Sequence, residues 1–331
     1  MTTAHASSLN RKEFLIMLAG MAGGLMVHLA PASAGQRGQD GDALGSALPR
    51  RRLGATGEDV TILGLGGWHL GGVSGEAEAR RLVDVALEEG VRFFDTAESY
   101  QAGKSERWLG AALAAVRGDV FLMTKTYDPA GRDREGAKRH LEGSLERLGT
   151  DYLDLWQLHA IRSPEDVDRA FAPGGAMEYL LAMKARGVIH YVGVTGHARP
   201  AAHLRALDHF DRGTRFDCMQ MPVNPLDFHQ QSFQRAVLPG LVERGIGVIA
   251  MKTSASGVLV RERICSIDEC LRFVWTLPVS LAVVGMETPE QVRHNARLAR
   301  DVPLMTPDEM ERLLARIEDR KDLSLERYKS V

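Results

Sequence analysis

Residues 120–158 read VFLMTKTYDPAGRDREGAKRHLEGSLERLGTDYLDLWQL, and the pattern of apolar residues changes twice along this stretch. Val120–Thr124 and Leu153–Leu158 are short apolar runs, which predict buried strands. Between them, Arg134–Leu148 has the apolar spacing of one helix face and ends before Gly149, a residue suited to a left-handed helix cap. A strand, a helix and a second strand in this order predict a parallel β-α-β unit.

The same alternation continues on both sides of this unit. The strand candidates are Val60–Leu65, Val91–Phe94, Val120–Thr124, Leu153–Leu158, Tyr191–Val194, Cys218–Met221, Gly247–Ala250 and Leu281–Val284. The other helix candidates are Glu76–Glu89, Ser105–Val116, Ala176–Arg186, Pro200–Phe210, Phe233–Arg244, Ile267–Thr276 and Pro289–Leu298. Eight such units predict an α/β protein with a closed (β/α)8 TIM barrel, because an open sheet of that size leaves two edges to protect. An open doubly wound sheet is the alternative, but the chain has no GxGxxG at a strand-to-helix turn.

The barrel domain is predicted to cover residues 49–331 and to begin with a hairpin. Arg51–Gly66 contains Gly54 and Gly57 as turn residues and leads into the first barrel strand. The preceding residues 35–48 are rich in Gly, Ala, Asp and Gln and have no periodicity. This composition predicts a flexible linker.

Residues 1–34 have the three parts of a secretory signal. A basic stretch, Asn10–Leu15, precedes the apolar Ile16–Leu29, and the small residues of Pro31–Ala34 follow as a cleavage site. The segment resembles a twin-arginine signal in which Arg11 and Lys12 stand in place of the two arginines. It predicts export machinery as a partner and a periplasmic or secreted protein, or a cytoplasmic one if the signal is not used. An uncleaved N-terminal tail is the alternative.

Composition excludes several classes of partner. The chain has 41 basic and 43 acidic residues, so its formal net charge is −2 and we expect no nucleic-acid surface. The three cysteines have neither CxxC spacing nor a Cys/His ligand pattern, so the sequence predicts no metal site and no disulfide framework.

Four residues with proton-transfer chemistry follow successive strand candidates: Asp95, Tyr100, Lys125 and His159. Active sites of such barrels lie at the C-terminal ends of the strands, so we expect these side chains to meet there. An ammonium beside a phenol favours the phenolate and makes Tyr100 a better acid. Asp95 would pair with Lys125, and His159 would donate a hydrogen bond to a carbonyl oxygen. Proton delivery to an oxygen that gains charge implies a hydride donor, and no side chain supplies one.

These motifs resemble those of the aldo-keto reductase family. They are Phe93-Phe94-Asp95-Thr96-Ala97-Glu98-Ser99-Tyr100, Met123-Thr124-Lys125 and Asp151-Tyr152-Leu153-Asp154-Leu155-Trp156-Gln157-Leu158-His159. The four catalytic positions of the family occur in the family's order, and the similarity covers most of the chain after Arg50. The resemblance implies reversible reduction of small aldehydes or ketones to alcohols by a nicotinamide cofactor, without metal.

The resemblance also implies a set of cofactor-binding residues, which are Gly66, Trp68, Thr195, Gln220, Met251, Lys252, Gln291 and Asn295. Thr195 and Gln220 correspond to contacts with the nicotinamide carboxamide, and Gln291 and Asn295 to the adenine end. Many family members hold the 2′-phosphate with a Lys-Ser pair and an Arg, where this chain has Gly285, Met286 and Gln291. NADP(H) is predicted first from the family's habit and NAD(H) is the alternative, with Arg293 or Lys252 as compensating cations.

Two other functions remain open. One is a nucleotide-binding module that reports redox state to a protein partner, and the other is a barrel hydrolase that uses His159 and a carboxylate. Hydrolysis would leave Tyr100 and Lys125 without roles. Trp68, His69, Tyr127, Trp156 and Ile161 lie near strand ends and are candidates for the substrate pocket, with barrel packing as the alternative for some of them. The oligomeric state is left unknown.

Overall fold

A computed structural model describes residues 41–126, 132–302, 304–320 and 322–330. The predicted signal segment, residues 35–40 of the predicted linker and Tyr127 lie outside the described residues. No helix within the described ranges is both long enough and apolar enough to cross a membrane.

Eight parallel strands form a closed barrel, which confirms the predicted (β/α)8 architecture. Around the ring, each strand pairs with its sequence neighbours, and the last pairs with the first. The barrel strands are β5 Leu63–Gly66, β6 Phe93–Asp95, β7 Phe121–Thr126, β8 Leu153–Leu158, β9 Ile189–Thr195, β10 Cys218–Pro222, β11 Gly247–Met251 and β12 Leu281–Val284.

Helices surround the barrel. Their bounds are Gly67–Leu70, Glu76–Glu88, Lys104–Leu113, Arg134–Leu148, Pro164–Phe171, Ala176–Ala185, Pro200–Asp211, Phe233–Ala236, Leu238–Glu243, Val258–Arg261, Ile267–Thr276, Pro289–Asp301 and Pro307–Glu318. Two segments of the described residues, Ala114–Asp119 and Leu323–Ser330, form 3₁₀ helices.

Two predicted elements are divided in the structure. The predicted strand Val60–Leu65 is split, because its first residues belong to a hairpin below the barrel and only its last residues enter the ring. The predicted helix Phe233–Arg244 breaks at Val237, two residues before Pro239, which has no N–H to donate.

The N-terminal hairpin is present and closes the bottom of the barrel. Its strands are β3 Arg50–Arg52 and β4 Asp59–Thr61, which pair antiparallel. Gly54 and Gly57 both have positive φ in the connecting turn, as their prediction as turn residues requires. The Arg51 side chain donates to the carbonyl oxygens of Trp275 and Val279 and fixes the hairpin to the segment that leads into the last barrel strand.

Residues 41–48 are more ordered than the predicted linker. Gly41–Asp42 (β1) and Gly45–Ser46 (β2) form a small antiparallel pair. The Asp42 carboxylate accepts two hydrogen bonds, at 2.8 and 2.9 Å, from the buried Arg92 guanidinium. The prediction of a flexible linker is therefore wrong for residues 41–48, because the Asp42–Arg92 ion pair holds them against the barrel. The composition of these residues does not reveal that pair.

The inward faces of the strands form a separate small core. Phe93 and Phe121 stack at 4.8 Å between ring centroids, and Leu53 of the hairpin packs in the same cluster. Met123, Leu155 and the strand residues Cys218, Ile249 and Leu281 complete this layer. Side chains two positions further along each strand point to the same interior. The apolar layer thus fills the lower barrel. The upper interior is lined by the residues two positions further along the strands.

Candidate active site

The strand period places the predicted site residues directly above the apolar layer. Asp95 follows Phe93 by two positions, and Lys125 follows Met123 by two. Thr195, Gln220 and Met251 occupy the corresponding positions on β9, β10 and β11. Polar side chains from several strands therefore converge inside the C-terminal mouth of the barrel.

Lys125 is the centre of this group. Its side chain is 1% exposed, and its ammonium forms an ion pair with Asp95 and donates to the Thr96 carbonyl oxygen at 2.7 Å. Gln220 Nε2 donates to the other oxygen of Asp95 at 2.7 Å. Burial lowers the pKa of Lys125, but the Asp95 charge and the interactions with Asp95 and Tyr100 outweigh burial and leave the pKa raised. The predicted Asp95–Lys125 pair is confirmed, and the lysine stays charged at neutral pH.

Tyr100 lies against this charged pair. Lys125 Nζ lies 3.4 Å from the phenol oxygen and 4.9 Å from the ring centroid. Burial raises the pKa of Tyr100, and the lowering by Lys125 does not compensate for it. Lys125 does lower the pKa of the phenol, as expected, although burial and the Asp95 charge outweigh that contribution. Tyr100 is therefore a protonated phenol at neutral pH, with a cation placed beside its oxygen.

His159 completes the predicted four. Its ring centroid lies 6.0 Å from that of Tyr100, and the two planes are nearly perpendicular. Burial and then the charge of Lys125 lower the pKa of His159 well below its ordinary value. The imidazole is therefore neutral at neutral pH, so it donates from one ring nitrogen and accepts at the other.

Left-handed backbone follows several of these residues. Gln101 and Ala102 after Tyr100, Ala160 after His159, and Lys252 after Met251 all have φ between 48° and 55°. Non-glycine residues adopt this region rarely, and such strain clusters at functional sites. The chain thus turns abruptly after Tyr100, His159 and Met251, which keeps these side chains at the mouth.

Residues that the sequence interpretation missed hold the Tyr100 segment. The fully buried Glu106 accepts from Thr124 at 2.6 Å and from Arg147 at 2.6 Å. Ser105 is hydrogen-bonded to Thr96 at 2.8 Å. Glu106 follows Tyr100 by six positions on the next helix, and its only sequence signal was a charge on the buried face of that helix.

The inner cofactor candidates share the mouth with the four residues. Thr195 and Gln220 are buried, and Met251 and Lys252 are partly buried. The Oε1 atom of Gln220 is buried and has no hydrogen-bond partner among the described residues. A buried amide oxygen without a donor is costly, and a carboxamide N–H₂ group would satisfy it. The inner pocket therefore fits a nicotinamide.

The two cofactor-binding candidates for the adenine end, Gln291 and Asn295, lie beyond β12. Asn295 is buried, whereas Gln291 is exposed and its Oε1 already accepts from the Glu287 N–H at 2.7 Å. Glu287 also pairs with His69 at 2.7 Å, and the His69 ring lies so close to Gly285 that a Cβ there would collide with it.

The two predicted compensating cations are placed elsewhere. Arg293 lies 3.9 Å from Glu89, and Arg293 and Arg81 both face Glu290. Lys252 lies near Lys125 and Asp95, and burial followed by the Lys125 charge lowers its pKa. Arg293 therefore already has acidic neighbours, and Lys252 lies close to the Asp95–Lys125 pair.

The predicted pocket residues divide into two groups. Trp68 is 56% exposed at the mouth and meets Tyr100 edge to face at 5.2 Å between centroids. Gly66, at the end of β5, approaches the Val284 carbonyl oxygen, since an added Cβ would lie 3.2 Å from it. Trp156 and Ile161 are instead buried in the outer core, between strands and helices, which agrees with the alternative of barrel packing. Trp156 lies on β8 at a position that faces away from the barrel interior.

The C-terminal segment Leu323–Ser330 covers one side of the mouth. The Tyr328 carbonyl oxygen accepts from His197 Nδ1 at 2.7 Å, and Asn224 donates to the Tyr328 hydroxyl oxygen at 3.0 Å. Lys329 anchors the segment, with Asp227 at 2.7 Å and Glu326 at 2.8 Å from its ammonium. All three of these charged side chains are buried. The sequence interpretation did not anticipate this segment as a wall of the site.

Comparison with known proteins agrees with this geometry. The model of the Aldo/keto reductase family matches residues 62–270. The uncharacterized oxidoreductase YrpG of Bacillus subtilis is 32% identical over 225 residues, which cover 62% of this chain and 67% of that protein. The uncharacterized oxidoreductase YqkF of the same organism is 28% identical over 234 residues, covering 68% and 71% of the two chains.

Solved structures with the same architecture are also similar. A structure from Pseudomonas aeruginosa, assigned to the aldo-keto reductases, superposes with a TM-score of 0.63 at 26% identity, covering 76% of this chain and 95% of that chain. The holo form of an aldo-keto reductase from Bacillus halodurans gives a TM-score of 0.67 at 24% identity, covering 81% and 96%. At that identity the second likeness concerns the fold alone.

Proposed function

We propose, from the premise that this chain belongs to the aldo/keto reductase family and is an oxidoreductase, that it reduces aldehydes or ketones to alcohols with a nicotinamide cofactor. In this proposal Tyr100 is the general acid. The observation that carries it is the buried contact of the Lys125 ammonium with both the Asp95 carboxylate and the Tyr100 hydroxyl.

The side chains supply the proton half of the reaction. The protonated Tyr100 phenol donates to the carbonyl oxygen of the substrate as that oxygen gains charge. Lys125, 3.4 Å away, stabilises the phenolate that remains, and Asp95 keeps the ammonium in place. The neutral His159 donates a hydrogen bond to the same carbonyl oxygen and orients it. A bound nicotinamide would supply the hydride.

The cofactor would lie across the mouth from β10 to the segment after β12. Thr195 and Gln220 would hold the carboxamide, Met251 would pack on the nicotinamide ring, and Gly66 and Trp68 would line the opposite side. Lys252 and the left-handed Ala255 and Ser256 would face the pyrophosphate, because consecutive backbone N–H groups in such turns bind anions. Asn295 and Gln291 would lie at the adenine.

The charges at the adenine end favour NAD(H) over NADP(H) for this chain. This order is the reverse of the one predicted from the habit of the family. Glu287 stands beside Gly285 and Met286, and a 2′-phosphate there would face its carboxylate. Arg293 is directed toward Glu89 and Glu290. A ribose hydroxyl, in contrast, can donate to a carboxylate.

The decisive experiment is oxidation of NADH and NADPH by the purified chain with a panel of aldehydes and ketones. Turnover with at least one carbonyl compound, and tighter binding of NADH than NADPH, are expected. Cofactor binding without turnover across the panel would instead favour the nucleotide-binding module that reports redox state to a partner. No contact among the described residues supports that module.

We also propose that the protein is exported through the twin-arginine-like segment Asn10–Ala34. Cell fractionation of the full chain tests this, with an Arg11→Gln/Lys12→Gln double variant as the comparison. Retention of the native chain in the cytoplasm would refute export.

A further inference from the structure

A buried arginine contacts the loop that follows His159. Arg132 immediately precedes Asp133, the N-cap of helix Arg134–Leu148, and its side chain is 3% exposed. Its Nε donates to Asp166 Oδ1 at 3.0 Å, and its Nη2 donates to Asp166 Oδ2 at 3.0 Å. The planar guanidinium thus binds one carboxylate through two parallel hydrogen bonds, a geometry that fixes the orientation of both groups.

The same guanidinium also binds the residue after His159. Arg132 Nη2 donates to the Ala160 carbonyl oxygen at 3.1 Å. Ala160 has a φ of 53°, a left-handed conformation that non-glycine residues rarely adopt and that the surrounding contacts must maintain. Arg132 therefore stabilises the strained turn that begins directly after His159.

Asp166 connects the far end of this loop to the same arginine. It lies in the first turn of helix Pro164–Phe171, where its N–H donates to Ser163 Oγ at 3.2 Å. Its carboxylate also accepts a hydrogen bond from the Arg162 N–H at 3.2 Å. One guanidinium thus holds both ends of the loop from Ala160 to Asp166.

The backbone on both sides of Ala160 is held by neighbouring barrel strands. His159 N donates to the Thr126 carbonyl oxygen of β7 at 3.0 Å. Ile161 N donates to the Thr195 carbonyl oxygen of β9 at 3.0 Å. Three successive residues are therefore each bound to a different part of the fold, and the direction in which the His159 side chain leaves the backbone depends on all three hydrogen bonds.

We propose that Arg132 is a positioning residue for His159, which acts through the Ala160 carbonyl oxygen and the Asp166 carboxylate. The imidazole has to direct its N–H at the carbonyl oxygen of the substrate, and a hydrogen bond weakens steeply when its angle is lost. Loss of the arginine therefore misdirects the imidazole without removing it. The effect on catalysis rests on the proposed carbonyl reduction, whereas the effect on the orientation of His159 does not.

The NMR signals of the imidazole nitrogens test the proposal in the full chain. The signals of His159 are those that are absent from the spectrum of His159→Gln. The decisive variant is Arg132→Met combined with Asp166→Leu, because it removes both buried charges together and leaves neither of them unpaired. We expect the His159 signals to shift from their native positions in this double variant. The kcat for carbonyl reduction should fall by about 10- to 100-fold, while the affinity for NADH stays unchanged.

Arg169→Met is the matched control. Arg169 Nη2 donates to the same Asp166 Oδ1 at 3.2 Å, but its side chain is 65% exposed and, among the described residues, it makes no hydrogen bond to Ala160. This variant should keep the native His159 signals and the native kcat. Arg132→Lys keeps a cation beside Asp166 but loses the planar fork, so its signals and its kcat should lie between those of the native chain and the double variant.

Unchanged His159 signals in the folded double variant would overturn the proposal, and so would an equal change in Arg169→Met. If the double variant does not fold, Arg132→Lys decides in the same way, because it retains the buried charge pair. A native chain that reduces no carbonyl compound would refute the proposed function, and the His159 signals would still decide whether Arg132 positions the imidazole.

Discussion

Gln220 donates from Nε2 to Asp95 Oδ2 at 2.7 Å, while its Oε1 has no partner among the described residues. The Gln220 amide thus uses its nitrogen to hold the Asp95 carboxylate, which pairs with Lys125. Its oxygen is left as an acceptor for a bound group. Gln220→Leu should weaken cofactor binding about tenfold, since an acceptor worth roughly 1–2 kcal/mol is lost. Fluorescence titration with NADH measures the change.

Met219→Leu is the matched control for that variant. Met219 is the preceding residue on β10, and its side chain is buried in the outer core rather than the mouth. Equal losses of affinity in the two variants would show that Gln220 acts only through general packing.

Tyr100→Phe should abolish most carbonyl reduction and leave cofactor binding unchanged. The phenylalanine keeps the edge-to-face contact with Trp68 but has no proton to give. General acids typically contribute a factor of about 10² to 10⁴ in rate, so kcat should fall by that order. A variant that reduces carbonyls at nearly the native rate would remove Tyr100 from the mechanism.

Lys125→Met should destabilise the fold by about 3–5 kcal/mol, because it leaves the buried Asp95 carboxylate without its cation. Adding Asp95→Leu should restore part of that loss, since an apolar pair carries no desolvation penalty. Urea unfolding of the single and double variants measures both free energies. Additive losses would indicate that the two side chains do not interact in the folded protein.

Local patterns predicted the barrel well. The strands Leu153–Leu158 and Leu281–Val284 and the helices Arg134–Leu148 and Ile267–Thr276 have the predicted bounds. Their ends are marked by nearby residues, such as the Gly149 cap with φ of 63°. Helix Pro307–Glu318 was missed although Thr306 and Glu309 form a capping box that the sequence displays.

The sequence located only part of the site, and the division has a physical reason. Strand ends and residue chemistry locate Asp95, Tyr100, Lys125 and His159, because parallel strands bring such positions together. The bond from Gln220 to Asp95 joins strands far apart in the chain, and only the closed ring places them in contact. The net pKa shift of Tyr100 depends on burial and on the opposing charges of Lys125 and Asp95, and a sequence does not give that balance.

Acid should destabilise the protein below pH 6.5, and His203 contributes to this loss. Burial lowers the pKa of His203 from 6.5 to about 4. Between these values the unfolded chain takes a proton that the folded residue does not, so the free energy of unfolding falls as pH falls. From pH 7 to pH 5 we expect His203 to account for about 2 kcal/mol.

His203→Leu tests this contribution by urea unfolding at the two pH values. The variant should lose less stability on acidification than the native chain, and His190→Ala, at a half-exposed position, is the matched comparison for removal of a histidine. An identical acid response in all three would assign the loss to other groups.

Glu287→Lys should raise the affinity for NADPH by about tenfold relative to NADH, because a charge-assisted bond replaces repulsion of the 2′-phosphate. The variant also removes the Glu287 contact with His69, so His69→Ala is the control. A shift of equal size in that control would indicate that His69, rather than the carboxylate, governs the choice.

The ring closes where β5 pairs with β12, with Leu65 beside Val284, residues from nearly opposite ends of the described chain. Contacts of such sequence separation form late, because the intervening chain must lose its freedom first. Asp95 and Lys125 belong to one half of the ring, and Gln220 and Met251 belong to the other. Refolding should therefore restore native-like helix content well before it restores nucleotide binding. The delay between these two changes is the time that closure of the ring takes.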